Sequence, residues 1–125
     1  MSTVVRPELS KSNALYISKH RYYELKHFCL QYPEWQKKCR YLNSSSIIKP
    51  GEVRRDDSDI YRDQMRLVDE CINDAAEEWL RPYLRYYVIY GETYPELKTR
   101  RNIPCGKDIF YNAFRRFLYI LSERR

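Results

Sequence analysis

Five polar side chains near the carboxyl end, Lys107, Tyr111, Asn112, Arg115 and Arg116, recur at intervals of one, three and four. On a helix that spacing gathers them on one side. Together they suit the reading of duplex DNA. Arg115 and Lys107 could bond guanine edges or phosphates, Asn112 matches adenine, and Tyr111 could reach a phosphate or a thymine methyl. The apolar set Phe110, Ala113, Phe114, Phe117 and Leu121 supplies the inner side of the same helix. Upstream, Thr93 and Glu96 form a T-x-x-E capping box, which predicts a short helix from Tyr94-Pro95 to about Arg101. The stretch Asn102-Ile103-Pro104-Cys105-Gly106 then breaks it. A short helix, a turn and a longer amphipathic helix have the form of a helix-turn-helix, with the second helix in the major groove. Arg100 and Arg101, at the turn, are expected on the DNA backbone. The same pattern also describes an ordinary solvated surface helix, so exposure of these side chains is what discriminates.

Other chemistry has little support. There is no Gly-rich phosphate loop, no H-E-x-x-H and no G-x-S-x-G, and neither histidine has a nucleophile or carboxylate at motif spacing. No catalytic residue, metal or cofactor is expected, and the chain is not expected to be an enzyme. His20, His27, Cys29 and Cys39 are the nearest approach to a zinc set. His27 and Cys29 are two apart and cannot share a helix face. The four cysteines contain no C-x-x-C and read as reduced, mostly buried thiols. A second possibility lies in the acidic row Asp56, Asp57, Asp59, Asp63, Glu70 and Asp74, joined by Glu52 and Asp69. On a helix surface it could imitate a phosphate track and attract a basic channel, as in a viral inhibitor or adaptor that binds a host protein assembly such as a nucleic-acid-guided defence nuclease.

The elements that must position these groups follow from composition and periodicity. The 125 residues suffice for one domain with its own core. Nine Lys/Arg face three Asp/Glu in residues 1–51, six face eleven in 52–92, and eight face three in 93–125, so two basic ends flank an acidic middle. With only 3 Gly and clear helical spacing, the fold class is all-α: a small helical bundle with a long central helix and a carboxyl-terminal helix-turn-helix. Residues 1–17 read as an arm, 18–51 as a helical hairpin and loop, and 52–125 as the acidic helix plus the helix-turn-helix. Ser18 caps a helix carrying Tyr22, Leu25, Phe28, Cys29 and Tyr32, and Pro33 opens a second with Trp35, Cys39 and Leu42. The loop is expected at Asn43-Ser44-Ser45-Ser46 and Lys49-Pro50-Gly51.

The strongest stripe runs Ile60, Gln64, Leu67, Val68, Cys71, Ile72, Ala75, Trp79, Leu80, Tyr83, Leu84, Tyr87 and Val88. It predicts one long helix or two collinear ones, with a kink or fresh start at Pro82 and a stop at Gly91. Tyr86 to Tyr90 could alternatively be a strand, but the periodicity leading into it favours helix. Most of the 13 Tyr are expected to fill core rather than stack on unpaired bases. Apolar runs as short as Tyr86–Tyr90 and Phe117–Leu121 cannot span a bilayer, no secretory leader is legible, and a cytoplasmic location is expected.

The stretch Tyr94-Pro95-Glu96-Leu97 through Ile103-Pro104-Cys105-Gly106-Lys107-Asp108-Ile109-Phe110-Tyr111 to Arg115-Arg116 resembles the region-4-type helix-turn-helix of sigma factors. It is similar in particular to that of small phage late-gene transcriptional regulators of the RinA and ArpU types. Phe28-Cys29-Leu30-Gln31-Tyr32-Pro33-Glu34-Trp35 with Lys37-Lys38 resembles the Tyr-Pro-centred amino-terminal helices of those regulators, so the likeness spans about residues 18–121. It implies sequence-specific binding of double-stranded DNA that activates viral late or packaging genes in the bacterial host cell. Host RNA polymerase or another host protein is then a further partner, and homodimerisation over two half-sites is left open. The chain departs from the sigma pattern in having Arg101 at a usually apolar position and one extra residue between Ile103 and Ile109. The second helix is therefore expected to start earlier or to be rotated.

Overall fold

Ser18 opens the first helix as the spacing predicts, its hydroxyl accepting from the Arg21 N–H at 3.2 Å. A computed structural model describes residues 17–45 and 57–125. Six helices are present among them: α1 (Lys19–Leu30), α2 (Tyr32–Ser45), α3 (Asp57–Ala75), α4 (Arg81–Val88), α5 (Tyr94–Arg100) and α6 (Lys107–Arg124). The fold is an all-α bundle. Residues 1–16 of the expected arm, 46–51 of the expected loop, and Glu52 and Asp56 of the acidic row lie outside the described residues. Ile17, expected in the arm, is buried in the core, and α2 continues through Asn43 to Ser45 where the loop was expected to begin.

A single residue, Gln31, separates α1 from α2, because Pro33 cannot extend α1 but fits the first turn of a new helix. Phe28 and Trp35 meet across this corner with ring centroids 4.9 Å apart. α2 lies along α3, α3 lies along α6, and α6 also packs against α1 and α4. α3 and α6 therefore form the central pair, and α6 buries Phe110, Tyr111, Ala113, Phe114, Phe117, Leu118 and Leu121.

The middle stripe departs from expectation. α3 stops at Ala75, and Pro82 sits in the first turn of a separate helix, α4. The two are not collinear. Asp69 forms an ion pair with Arg85, sixteen positions on, whereas a straight helix would hold them about 24 Å apart. α4 thus folds back beside α3. Tyr32 donates its hydroxyl to both Asp69 carboxylate oxygens at 3.0 Å, and the Arg85 guanidinium lies 5.3 Å from the Tyr32 ring centroid, which joins α2, α3 and α4 through one polar cluster. Ile60 and Trp79, both on the predicted stripe, are 48% and 44% exposed, Trp79 in the segment between α3 and α4. Tyr86 to Val88 are helical rather than strand.

All four cysteines are buried thiols. Burial pushes Cys29 up to about 12 and Cys71 up to about 11, which holds both protonated at neutral pH. Among the described residues, no helix is long and apolar enough to cross a membrane.

α4 and α5 end in the same way. After α4, Gly91 turns the chain at φ 71° and the Glu92 N–H donates to the Tyr86 carbonyl at 3.1 Å. After α5, Asn102 does so at φ 55° and the Ile103 N–H donates to the Leu97 carbonyl at 3.2 Å. A Cβ at Gly91 would meet Leu30 only at an ordinary 3.6 Å, so the penalty of a side chain there is conformational. Gly91→Ala is expected to lower urea-unfolding stability by about 1–2 kcal/mol, while Asn102→Gly should stay within about 0.5 kcal/mol of the parent.

Candidate nucleic-acid interface

The capping box forms as predicted. The Thr93 hydroxyl accepts from the Glu96 N–H at 3.3 Å, and the Glu96 carboxylate accepts from the Thr93 N–H at 2.9 Å. The Thr93 N–H also holds the Glu96 carboxyl below the usual carboxylate range. Tyr94 and Leu97 face inward from α5, which turns Pro95, Lys98, Thr99 and Arg100 to solvent. The Tyr94 hydroxyl donates to the Cys105 carbonyl at 2.6 Å, and its ring lies 5.8 Å from Phe110 and 6.1 Å from Tyr111. One side chain thereby fastens α5 to both the connecting turn and the start of α6. That turn, residues 101–106, is longer than the roughly 3–4 residues of a common helix-turn-helix.

α6 begins at Lys107 and presents Lys107, Asp108, Ile109, Asn112 and Arg116 to solvent, with Arg115 and Tyr119 half-exposed. The predicted contact residues divide into two groups. Lys107 is exposed and makes no ion pair among the described residues. Arg115 donates to the Asn112 Oδ1 at 2.6 Å, so these two stand together on the outer side of α6. Arg100 is exposed and held loosely by Glu96 at 3.4 Å. Lys98 belongs with them. Nothing in the spacing singles it out, because a step of about 100° from inward-facing Leu97 can lead to either side of α5.

The other three are engaged elsewhere in the molecule, Tyr111 by burial and the exposed Arg116 and Arg101 by bonds to other segments. Tyr111, expected on the outer side, is only 8% exposed and packs edge to face with Tyr87, ring centroids 6.2 Å apart. Burial raises both phenols, so they remain neutral donors at neutral pH. Arg116 donates its Nε to the Ala75 carbonyl at 3.1 Å, placing a cation at the carboxyl end of α3, where the free carbonyls favour positive charge. Arg101 reaches back to Glu92 at 2.7 and 3.3 Å and stacks over Tyr86, 3.9 Å from its ring centroid.

The acidic row is largely neutralised. Asp59 pairs with Arg62 at 3.1 Å, Asp63 with Arg66 at 3.0 Å and Asp74 with Arg124 at 2.6 Å. Glu70 is exposed, and Asp57 is the first residue of α3. The outer side of α3 therefore alternates in sign instead of carrying a continuous negative track.

Compared with protein-family models, curated protein sequences and solved structures, the chain matches none.

Because Arg116 closes the end of α3, Arg116→Ala is expected to cost about 1–2 kcal/mol in urea unfolding. Lys107→Ala should change stability by less than about 0.5 kcal/mol.

Proposed function

We propose that the chain binds double-stranded DNA through the surface formed by α5, the 101–106 turn and α6. Lys98, Arg100 and Lys107 are the phosphate contacts in this reading, and Asn112 and Arg115 the groups that reach base edges. The supporting observation is the outward Lys107, Asn112 and Arg115 on a helix whose opposite side is wholly engaged in the core, next to the outward Lys98 and Arg100 of α5. Tyr111 drops out of the contact set because it is buried, and Arg116 and Arg101 because each is bonded to a residue outside its own helix, Ala75 and Glu92, whereas Arg115 and Arg100 bond only within α6 and α5 in the contacts described above. The resemblance to phage late-gene regulators extends the reading to transcriptional control, with host RNA polymerase as a further partner. The alternating ion pairs on α3 count against the phosphate-imitating alternative.

Fluorescence anisotropy with labelled duplexes drawn from a random-sequence selection tests this. Affinity should fall steeply with salt, and the Arg100→Ala/Lys107→Ala double variant should reduce the log–log salt slope by about 1.8. Asn112→Ala should instead relax preference among duplexes at one position, at about 1–3 kcal/mol of lost discrimination. Unchanged binding and slope in the double variant would refute the assignment.

A further inference from the structure

On the side of the core away from α3, a cavity of about 390 Å³ opens between α1, α4, α6 and the chain entering α5. Its size falls within the range that holds small organic ligands. Tyr22, Tyr23 and Lys26 line it from α1, Tyr87 from α4, and Tyr111 and Phe114 from α6. The rings meet edge to face: Tyr87 and Phe114 are 4.8 Å apart at interplanar 67°, and Tyr22 and Phe114 are 6.4 Å apart at 85°. Walls of this kind accept a flat ring system by stacking and edge contacts.

Aromatic walls alone would equally suit a cation, and the charges at the mouth decide between the two. The mouth is marked by exposed Lys26, Gly91 and Thr93. The lining carboxylate, Glu92, is already bonded to Arg101 at 2.7 and 3.3 Å. Lys26 makes no ion pair among the described residues and is the one cation among the described lining residues. A cationic guest would meet an unopposed ammonium and a neutralised carboxylate, whereas an anionic guest would gain a charge-assisted hydrogen bond.

We propose that this cavity binds a small, flat aromatic acid, its rings among Tyr87, Tyr111 and Phe114 and its anionic group at Lys26. The site is separate from the outer side of α6, and its test involves no DNA.

Isothermal titration calorimetry of the full chain with naphthalene-2-carboxylate, and with a naphthylmethyl trimethylammonium ion as its cationic counterpart, tests the proposal. The acid should bind saturably and the cation at least about tenfold more weakly. Lys26→Glu, and to a lesser degree Lys26→Gln, should weaken the acid, the first by about tenfold, without moving the thermal midpoint of the unliganded protein. Nuclear Overhauser contacts from the naphthyl protons should fall on Tyr111 and Phe114. Absence of saturable binding, equal affinity for the two ions, unaltered affinity in Lys26→Glu, or contacts elsewhere would each overturn it.

Discussion

The rotation of α6 about its own axis is the constraint on which the remaining geometry depends. Seven buried side chains between Phe110 and Leu121 occupy one side of this helix and meet α1, α3 and α4. Advancing the register by one residue turns the helix by about 100° and would drive Asn112 and Arg115 inward while expelling phenylalanines. Burial of each large apolar side chain contributes about 1.5–3 kcal/mol, and an exposed ion pair about 0–1 kcal/mol. The aromatic side therefore sets the orientation, and whatever lies opposite is held outward. Tyr94 transmits that orientation to α5 through its ring contacts with α6 and its bond to Cys105.

A formal excess of basic residues overstates the positive charge available to a partner. Many guanidinium groups serve as internal fasteners. Arg116 reaches Ala75, and Arg81 reaches the Ala76 carbonyl at 3.0 Å and the Asn73 carbonyl at 3.2 Å, so two cations gather where α3 leaves its last carbonyls unpaired. Arg85 links α4 to α3, and Arg21 links α1 to α6 through the Ser122 hydroxyl and carbonyl at 3.2 and 2.9 Å. Arg125 lies over Phe28, 4.1 Å from the ring centroid. Arginine fits these places because its planar fork can bond a carbonyl and cover an aromatic ring at once. Lysines are more often left to solvent, which is why Lys98 and Lys107 stand out.

Local signals were legible in the chain and distant ones were not. The Ser18 cap, the Thr93–Glu96 box, the fresh helix at Pro82 and the stop at Gly91 each follow from backbone chemistry within a few residues, and each is present. The reversal between α3 and α4 was hidden because the apolar spacing continues across the break, and only the pairing of Asp69 with Arg85 reveals it. Tyr111 was misplaced because a phenol suits either side of an amphipathic helix, and its burial depends on Tyr87 and Tyr94 from two other elements. For the same reason the internal partners of Arg101 and Arg116 could not be read from spacing, since Ala75 and Arg116 lie forty-one positions apart. α6 starts directly after Gly106, Ile109 faces solvent, and Phe110 takes the inward place.

The most direct test of the central claim is a residue-resolved one, in which nitrogen-15 amide shifts of the intact chain are followed during titration with a selected DNA duplex. Shifts should concentrate at Lys98, Arg100, Lys107, Asn112 and Arg115 and leave the Asp59 to Glu70 stretch of α3 unmoved. Shifts confined to α3, or a spectrum unaffected by saturating duplex, would contradict the account.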